Sequence, residues 1–77
     1  MILDIKYYGL ITEITNCSEE KLDFNESTFI ELKALLLAKY PALETTSFQI
    51  AADNTMVNDN DKITSSNLAI MPPFAGG

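Results

Sequence analysis

Apolar and polar residues alternate at the start of the chain, where Asp4 and Lys6 separate Leu3, Ile5 and Tyr7. A period of two predicts a strand with one face on a core and the other in water. Gly9 breaks the pattern. Leu10-Ile11-Thr12-Glu13-Ile14 then has the spacing of one or two helical turns, ending around Asn16. Ser18-Glu19-Glu20 reads as an acidic connection, after which Lys21-Leu22-Asp23-Phe24 alternates again. With Leu22 and Phe24 inward, this second strand can pair with the first as a hairpin-like unit. Asn25-Glu26-Ser27 turns the chain.

Thr28 and Glu31 stand three apart, the spacing of a capping box that satisfies backbone donors at a helix start. The helix is expected from about Phe29 to Lys39 or Tyr40, where Pro41 stops it. Phe29, Leu32, Leu35 and Leu36 share one face, Leu37 broadens the stripe, and Glu31, Lys33 and Lys39 face water. Beyond a polar stretch, Ser47-Phe48-Gln49-Ile50-Ala51 predicts a third strand and Thr55-Met56-Val57 a short fourth, joined at Asp53-Asn54 as a hairpin. Asn58-Asp59-Asn60-Asp61 places oxygen ligands at alternating positions but lacks the glycine and distal glutamate of an EF-hand, so a solvated turn is expected and no metal. Ile63 is expected to anchor the next loop, and Ser65-Ser66-Asn67 leads into the apolar strand Leu68-Ala69-Ile70-Met71. This order predicts an α+β roll in which one mixed sheet packs on one main helix, with the first and last strands parallel at its centre.

Seventy-seven residues make a single domain, 1–77, with a short tail over 72–77. No apolar stretch approaches the roughly 20 residues that span a bilayer. Residues 1–6 lack the features of a secretory leader, and a cytoplasmic location is expected. Eleven acidic residues against five lysines give a net charge of −6, which disfavours nucleic-acid binding and suits docking on a basic protein surface, or simply keeps the chain soluble. There is one cysteine, Cys17, and no histidine, so an intrachain disulfide and a zinc site of the ordinary Cys/His type are excluded. Glu13, Glu19 and Glu20 lie near Cys17 in sequence and oppose a nucleophilic thiolate, and the usual neutral-pH base is missing.

Chemistry therefore points to Pro72-Pro73-Phe74-Ala75-Gly76-Gly77. Glycines without a β-carbon can thread a narrow channel, and the carboxylate of Gly77 then becomes a deliverable group. Pro72 and Pro73 end the last strand and stiffen the tail. The alternative is a frayed terminus or linker of no function, against which stands the apolar strand that runs into the prolines with no spacer. Phe74 and Met71 are the apolar candidates for a partner interface, with Leu10 and Ile11 as weaker ones. Met71 is equally open to packing in its own core, whereas for Phe74 the interface is favoured over packing on its own domain.

Tyr8-Gly9-Leu10-Ile11-Thr12-Glu13, the capped helix Thr28-Phe29-Ile30-Glu31-Leu32 and the Pro-Pro-x-x-Gly-Gly ending together resemble the MoaD family, the small sulfur-carrier subunit of molybdopterin synthase, over essentially the whole chain. The related thiazole-synthesis (ThiS-type) carriers also end in Gly-Gly but usually lack the prolines. The resemblance implies a β-grasp, ubiquitin-like fold. It also implies an E1-like adenylyltransferase that uses ATP to convert Gly77 to an acyl-adenylate and then, with a sulfur donor, to a thiocarboxylate. The tail, Pro72, Pro73, Phe74, Ala75 and Gly76, would enter a channel in the synthase large subunit, where sulfur passes to cyclic pyranopterin monophosphate. The chain would thus be the sulfur-donating subunit of a heteromeric enzyme, not catalytic alone and with no bound cofactor. Thr12, Ala52-Asp53-Asn54 and Ser65-Ser66-Asn67 depart from the family pattern. Sulfur delivery for thiazole synthesis, ubiquitin-like protein modification and a plain interaction module remain as alternatives.

Overall fold

Leu3, Ile5 and Tyr7 are all buried within the first strand, β1, Ile2–Tyr7, as their alternation predicts. The structure, a computed structural model, describes residues 1–73. After β1 come α1, Leu10–Thr15, β2, Glu19–Asp23, and α2, Phe29–Lys39. A 3-10 helix over Pro41–Thr45 precedes β3, Gln49–Ala52, β4, Thr55–Met56, and β5, Asn67–Met71. The strands form one mixed sheet in the order β2-β1-β5-β3-β4. β1 and β5 lie parallel at its centre, with Ile5 opposite Leu68 and Tyr7 opposite Ile70, and every other pairing is antiparallel. This is the β-grasp roll that the family resemblance implies.

The sheet has two different faces because residues alternate along each strand. Leu3, Ile5, Tyr7, Ile50, Leu68 and Ile70 point inward and pack with Phe29, Leu32 and Leu36 of α2. Asp4, Lys6, Asn67, Ala69 and Met71 belong to the outer face by the same registers. The Glu31 carboxylate accepts the backbone N–H groups of Ser27 and Thr28 and the Thr28 hydroxyl, which closes the predicted capping box and fixes the start of α2. Asp53 and Asn54 take φ of 49° and 67°, the positive values that a two-residue hairpin between β3 and β4 requires. Asn58 and Asp61 close the polar turn on each other through Asn58 N–H to Asp61 Oδ2 at 2.9 Å and Asp61 N–H to Asn58 C=O at 3.1 Å. Ile63 packs on the core and its N–H donates to Ser27.

Several expectations shift. β2 begins at Glu19, two residues before the alternation was expected to start, and β3 begins at Gln49 because the pairing with β5 opens at Gln49–Met71. The stretch after α2, read as polar connection, is the 3-10 helix, and its Leu43 is buried at 1% exposure. Pro41 supplies its first turn, where a missing N–H has no intrahelical partner to lose. Among the described residues, no helix is long and apolar enough to cross a membrane.

Leu32 is fully buried between α2 and the sheet. Leu32→Ala is expected to destabilise the domain by about 2–5 kcal/mol through lost transfer energy and a residual cavity. Urea unfolding followed by far-ultraviolet circular dichroism measures this, and a loss well under 1 kcal/mol would mean that the helix does not pack here.

Candidate functional site

Because β1 and β5 are parallel, both finish at the same end of the sheet. The Tyr8 N–H donates to the Ile70 carbonyl at 3.0 Å, continuing the ladder one step beyond β1. Met71-Pro72-Pro73 therefore emerges beside Tyr8-Gly9. Gly9 has φ 57° and ψ −136°, a conformation that residues with a side chain resist, and it forms the N-cap of α1. Its carbonyl accepts the Thr12 N–H at 3.1 Å and the Thr12 hydroxyl, while the Ile11 N–H reaches the Tyr8 carbonyl at 3.1 Å. A β-carbon at Gly9 would lie 3.1 Å from Cγ of Pro72 and 3.5 Å from its Cδ. Pro72 is half-buried in this contact and Pro73 is exposed.

Tyr8 at 48% and Leu10 at 52% exposure flank Gly9 in the chain. Met71 is half-buried on the outer sheet face, not in the core. Ile11, read as a weaker interface candidate, is fully buried and belongs to the core, because the turn at Gly9 rotates it beneath the sheet end while Leu10 stays outside. Phe74, Ala75, Gly76 and Gly77 lie outside the described residues. On the outer face a shallow depression of about 310 Å³ is bordered by Asp4, Lys6, Tyr8 and Asn67, with Ala51 and Ala69 among its lining residues. Among the described residues, no group of three His, Cys, Asp or Glu side chains is arranged to hold a metal ion. Cys17 is a half-buried free thiol.

Sequence reasoning missed a second feature. Glu20 pairs opposite Ile5 and so faces inward. It accepts the Tyr7 hydroxyl at 2.5 Å, the Tyr40 hydroxyl at 2.7 Å and Lys39 Nζ at 2.8 Å. The Tyr7 and Tyr40 rings meet edge to face with centroids 6.2 Å apart. Burial opposes ionisation of Glu20, but the hydrogen bonds from Lys39, Tyr7 and Tyr40 outweigh it and hold the carboxyl below its usual range. Burial, then the Glu20 hydrogen bond and charge, push both tyrosine hydroxyls well above theirs. The cluster ties the last residue of β1 to β2 and to the end of α2, one residue before the Tyr8-Gly9 turn. The signal was present in the sequence: if Leu22 and Phe24 point inward, the same parity turns Glu20 inward. Gly9 was likewise visible as the only glycine outside the Gly-Gly tail.

The sequence profile of the ThiS family matches residues 5–77. The molybdopterin synthase sulfur carrier subunit of Caenorhabditis briggsae is 28% identical over a 79-residue alignment covering 95% of this chain and 94% of that protein. Among solved structures, molybdopterin converting factor subunit 1 from Pyrococcus furiosus superposes with a TM-score of 0.86 at 13% identity, covering 95% of this chain and 98% of the other. Small archaeal modifier protein 1 from Methanosarcina acetivorans gives a TM-score of 0.76 at 21% identity, with 99% and 96% covered. At these identities the two structures bear on the fold alone.

Glu20→Gln is expected to lower stability at neutral pH. A carboxyl whose folded-state pKa is depressed stabilises the fold fully above the ordinary carboxylate range, and the benefit is lost as pH falls through the lowered folded value. The gap between Glu20→Gln and the unaltered chain should therefore narrow on acidification, measured by urea unfolding across a pH series. A gap independent of pH would show that the charge of Glu20 is not what holds the cluster.

Proposed function

The chain belongs to the ThiS family, and from that premise we propose that it is the sulfur carrier and small subunit of a molybdopterin synthase. The observation that carries this reading is the end-to-end likeness to a molybdopterin synthase sulfur carrier subunit, over 95% of this chain. The placement of the tail base supports it: β5 delivers Met71-Pro72-Pro73 to the end of the sheet, next to the exposed Tyr8 and Leu10.

A carboxylate is a poor acyl donor because oxide is a poor leaving group, so Gly77 must first be activated. An E1-like adenylyltransferase does this with ATP: a carboxylate oxygen attacks the α-phosphorus, pyrophosphate leaves, and an acyl-adenylate remains. The outer sulfur of a donor persulfide attacks the acyl carbon and AMP departs with the oxygen. A second thiol then attacks the donor sulfur of the acyl disulfide, forming a disulfide with the donor and leaving the thiocarboxylate of Gly77. The large subunit then receives the tail and holds cyclic pyranopterin monophosphate, to which the terminal sulfur is passed. Water completes release of the carrier and restores the carboxylate. A dithiolene needs two sulfurs and hence two deliveries. Bases and the substrate pocket belong to the large subunit in this division, which accords with a chain that has no histidine and an acidic surface suited to a basic partner. Met71 and Phe74 are the proposed apolar anchors at that interface, and Gly76 and Ala75 the narrow part of the tail.

Incubation with an activating enzyme, ATP and a sulfur donor is expected to raise the intact mass by the exchange of one oxygen for one sulfur, and deletion of Gly76-Gly77 is expected to abolish the shift. Sulfur appearing in molybdopterin when the large subunit and cyclic pyranopterin monophosphate are added supports the synthase reading. Transfer only to a thiazole-forming enzyme, or conjugates to protein lysines that survive reducing agents, would replace it by the thiazole-carrier or modifier reading. No mass shift with an enzyme proven on another carrier would remove the carrier chemistry.

A further inference from the structure

We propose that Gly9 is a positioning residue for the sulfur-carrying tail: its bare α-carbon is the seat on which the Pro72 ring rests, and this contact sets the direction in which the chain leaves the domain. The inference builds on the carrier reading above, because a fixed exit direction matters when the end of the chain is the working group.

The argument begins with the ladder between β1 and β5. In a parallel pair every second residue of one strand donates to one residue of its neighbour and accepts from another two residues further on. Tyr8 donates to Ile70, so its carbonyl is due a bond from the N–H of residue 72. Residue 72 is proline and has none. The Tyr8 carbonyl is taken instead by the Ile11 N–H, which opens α1. The sheet thus loses its hold on the chain at Pro72, and packing replaces it. The Pro72 ring faces the bare side of Gly9, where an added β-carbon would come within 3.1 Å of its Cγ, tighter than ordinary contact.

Both partners of this contact are restrained. Gly9 is fixed by φ 57° and by the bonds from Thr12 to its carbonyl, and Pro72 has its own φ closed by the ring. The Glu20 cluster steadies Tyr7 two residues before the seat. Burial changes across one peptide bond, from half-buried Pro72 to exposed Pro73, so the domain ends at the seat. An L side chain at position 9 would meet two penalties that can be separated: backbone strain at positive φ, and displacement of the Pro72 ring. D-alanine at the same position, introduced by chemical synthesis, accepts positive φ and places its methyl group on the other side of the α-carbon.

The test compares Gly9→Ala, the D-alanine chain, Pro72→Ala and the double variant Gly9→Ala/Pro72→Ala as substrates of the activating enzyme, followed by pyrophosphate release at a temperature where circular dichroism finds each one folded. Gly9→Ala is expected to raise KM about tenfold over the D-alanine chain with kcat little changed, because the tail is presented in the wrong direction. Adding Pro72→Ala should recover part of that KM, since the displaced ring is gone, while leaving the loss of melting temperature from backbone strain in place. Equal KM for the L- and D-alanine chains, or losses in the double variant equal to the sum of the single ones, would overturn the proposal. If the unaltered chain is not adenylated at all, the carrier reading fails, and the seat is then judged by nuclear magnetic resonance. A cross-peak between the Gly9 Hα and Pro72 Hγ protons, lost in Gly9→Ala together with shifts in the amides of residues 74–77, supports the seat, and its absence from the unaltered chain overturns it.

Discussion

The parallel pairing of β1 with β5 is the constraint on which the rest of the molecule depends. These strands lie some sixty residues apart in sequence, yet each is the other's neighbour at the centre of the sheet, with β2 outside one and β3 outside the other. Both edges of each are therefore occupied, and their inward residues Leu3, Ile5, Tyr7, Leu68 and Ile70 all reach 3% exposure or less. The entropy of closing so long a loop grows only logarithmically with its length, whereas the apolar burial it permits scales with area, so the distant pairing is favourable once α2 covers it. A parallel connection also needs a long crossover, and α2 with the segment that follows it supplies one. From this single pairing comes the placement of the tail, since parallel strands finish at the same end and bring Pro72 to Gly9.

Features carried by local chemistry were legible in the sequence. The alternation of β1, the Thr28/Glu31 cap, the Asp53-Asn54 hairpin and the stop at Pro41 each follow from neighbours within a few residues. What escaped was set by partners distant in the chain. Glu19 and Glu20 looked like a solvated connection because two adjacent carboxylates suggest water, but Lys6 and Ile5 of β1 stand opposite them and draw them into β2. Tyr7, Glu20 and Tyr40 are spaced so widely that no local pattern joins them. Leu43 lies in a short polar stretch whose 3-10 turn has too few residues to show a period, and Ile11 was separated from Leu10 only by how Gly9 turns the chain. At the candidate site, the sequence placed Met71 and the prolines at the end of the last strand, whereas the approach of Pro72 to Gly9 and the exposure of Tyr8 became visible only with the register between β1 and β5.

The polar groups of the domain are largely spent on holding its shape. Among the described residues no buried side-chain nitrogen or oxygen lacks a hydrogen-bond partner. The inward carboxylate of Glu20 accepts from two hydroxyls and an ammonium. A group so fully engaged is stabilised in its ionised form. On the outer face a shallow depression has two alanines in its lining and polar residues around it.

Under the proposed carrier role, the domain contributes to chemistry by how firmly it holds what it presents. Docking a segment into a partner costs conformational entropy for every bond that must be fixed, and the cost falls when the segment begins at a rigid point. The alternative, a tail rooted in a loop, would leave the position of its base undetermined and add to what must be ordered on binding. Here the root is the central strand of the sheet, its last residue is followed by two prolines, and the first proline packs on a turn that is itself fixed at both ends. The rigidity of the fold therefore reaches along the chain to Pro72.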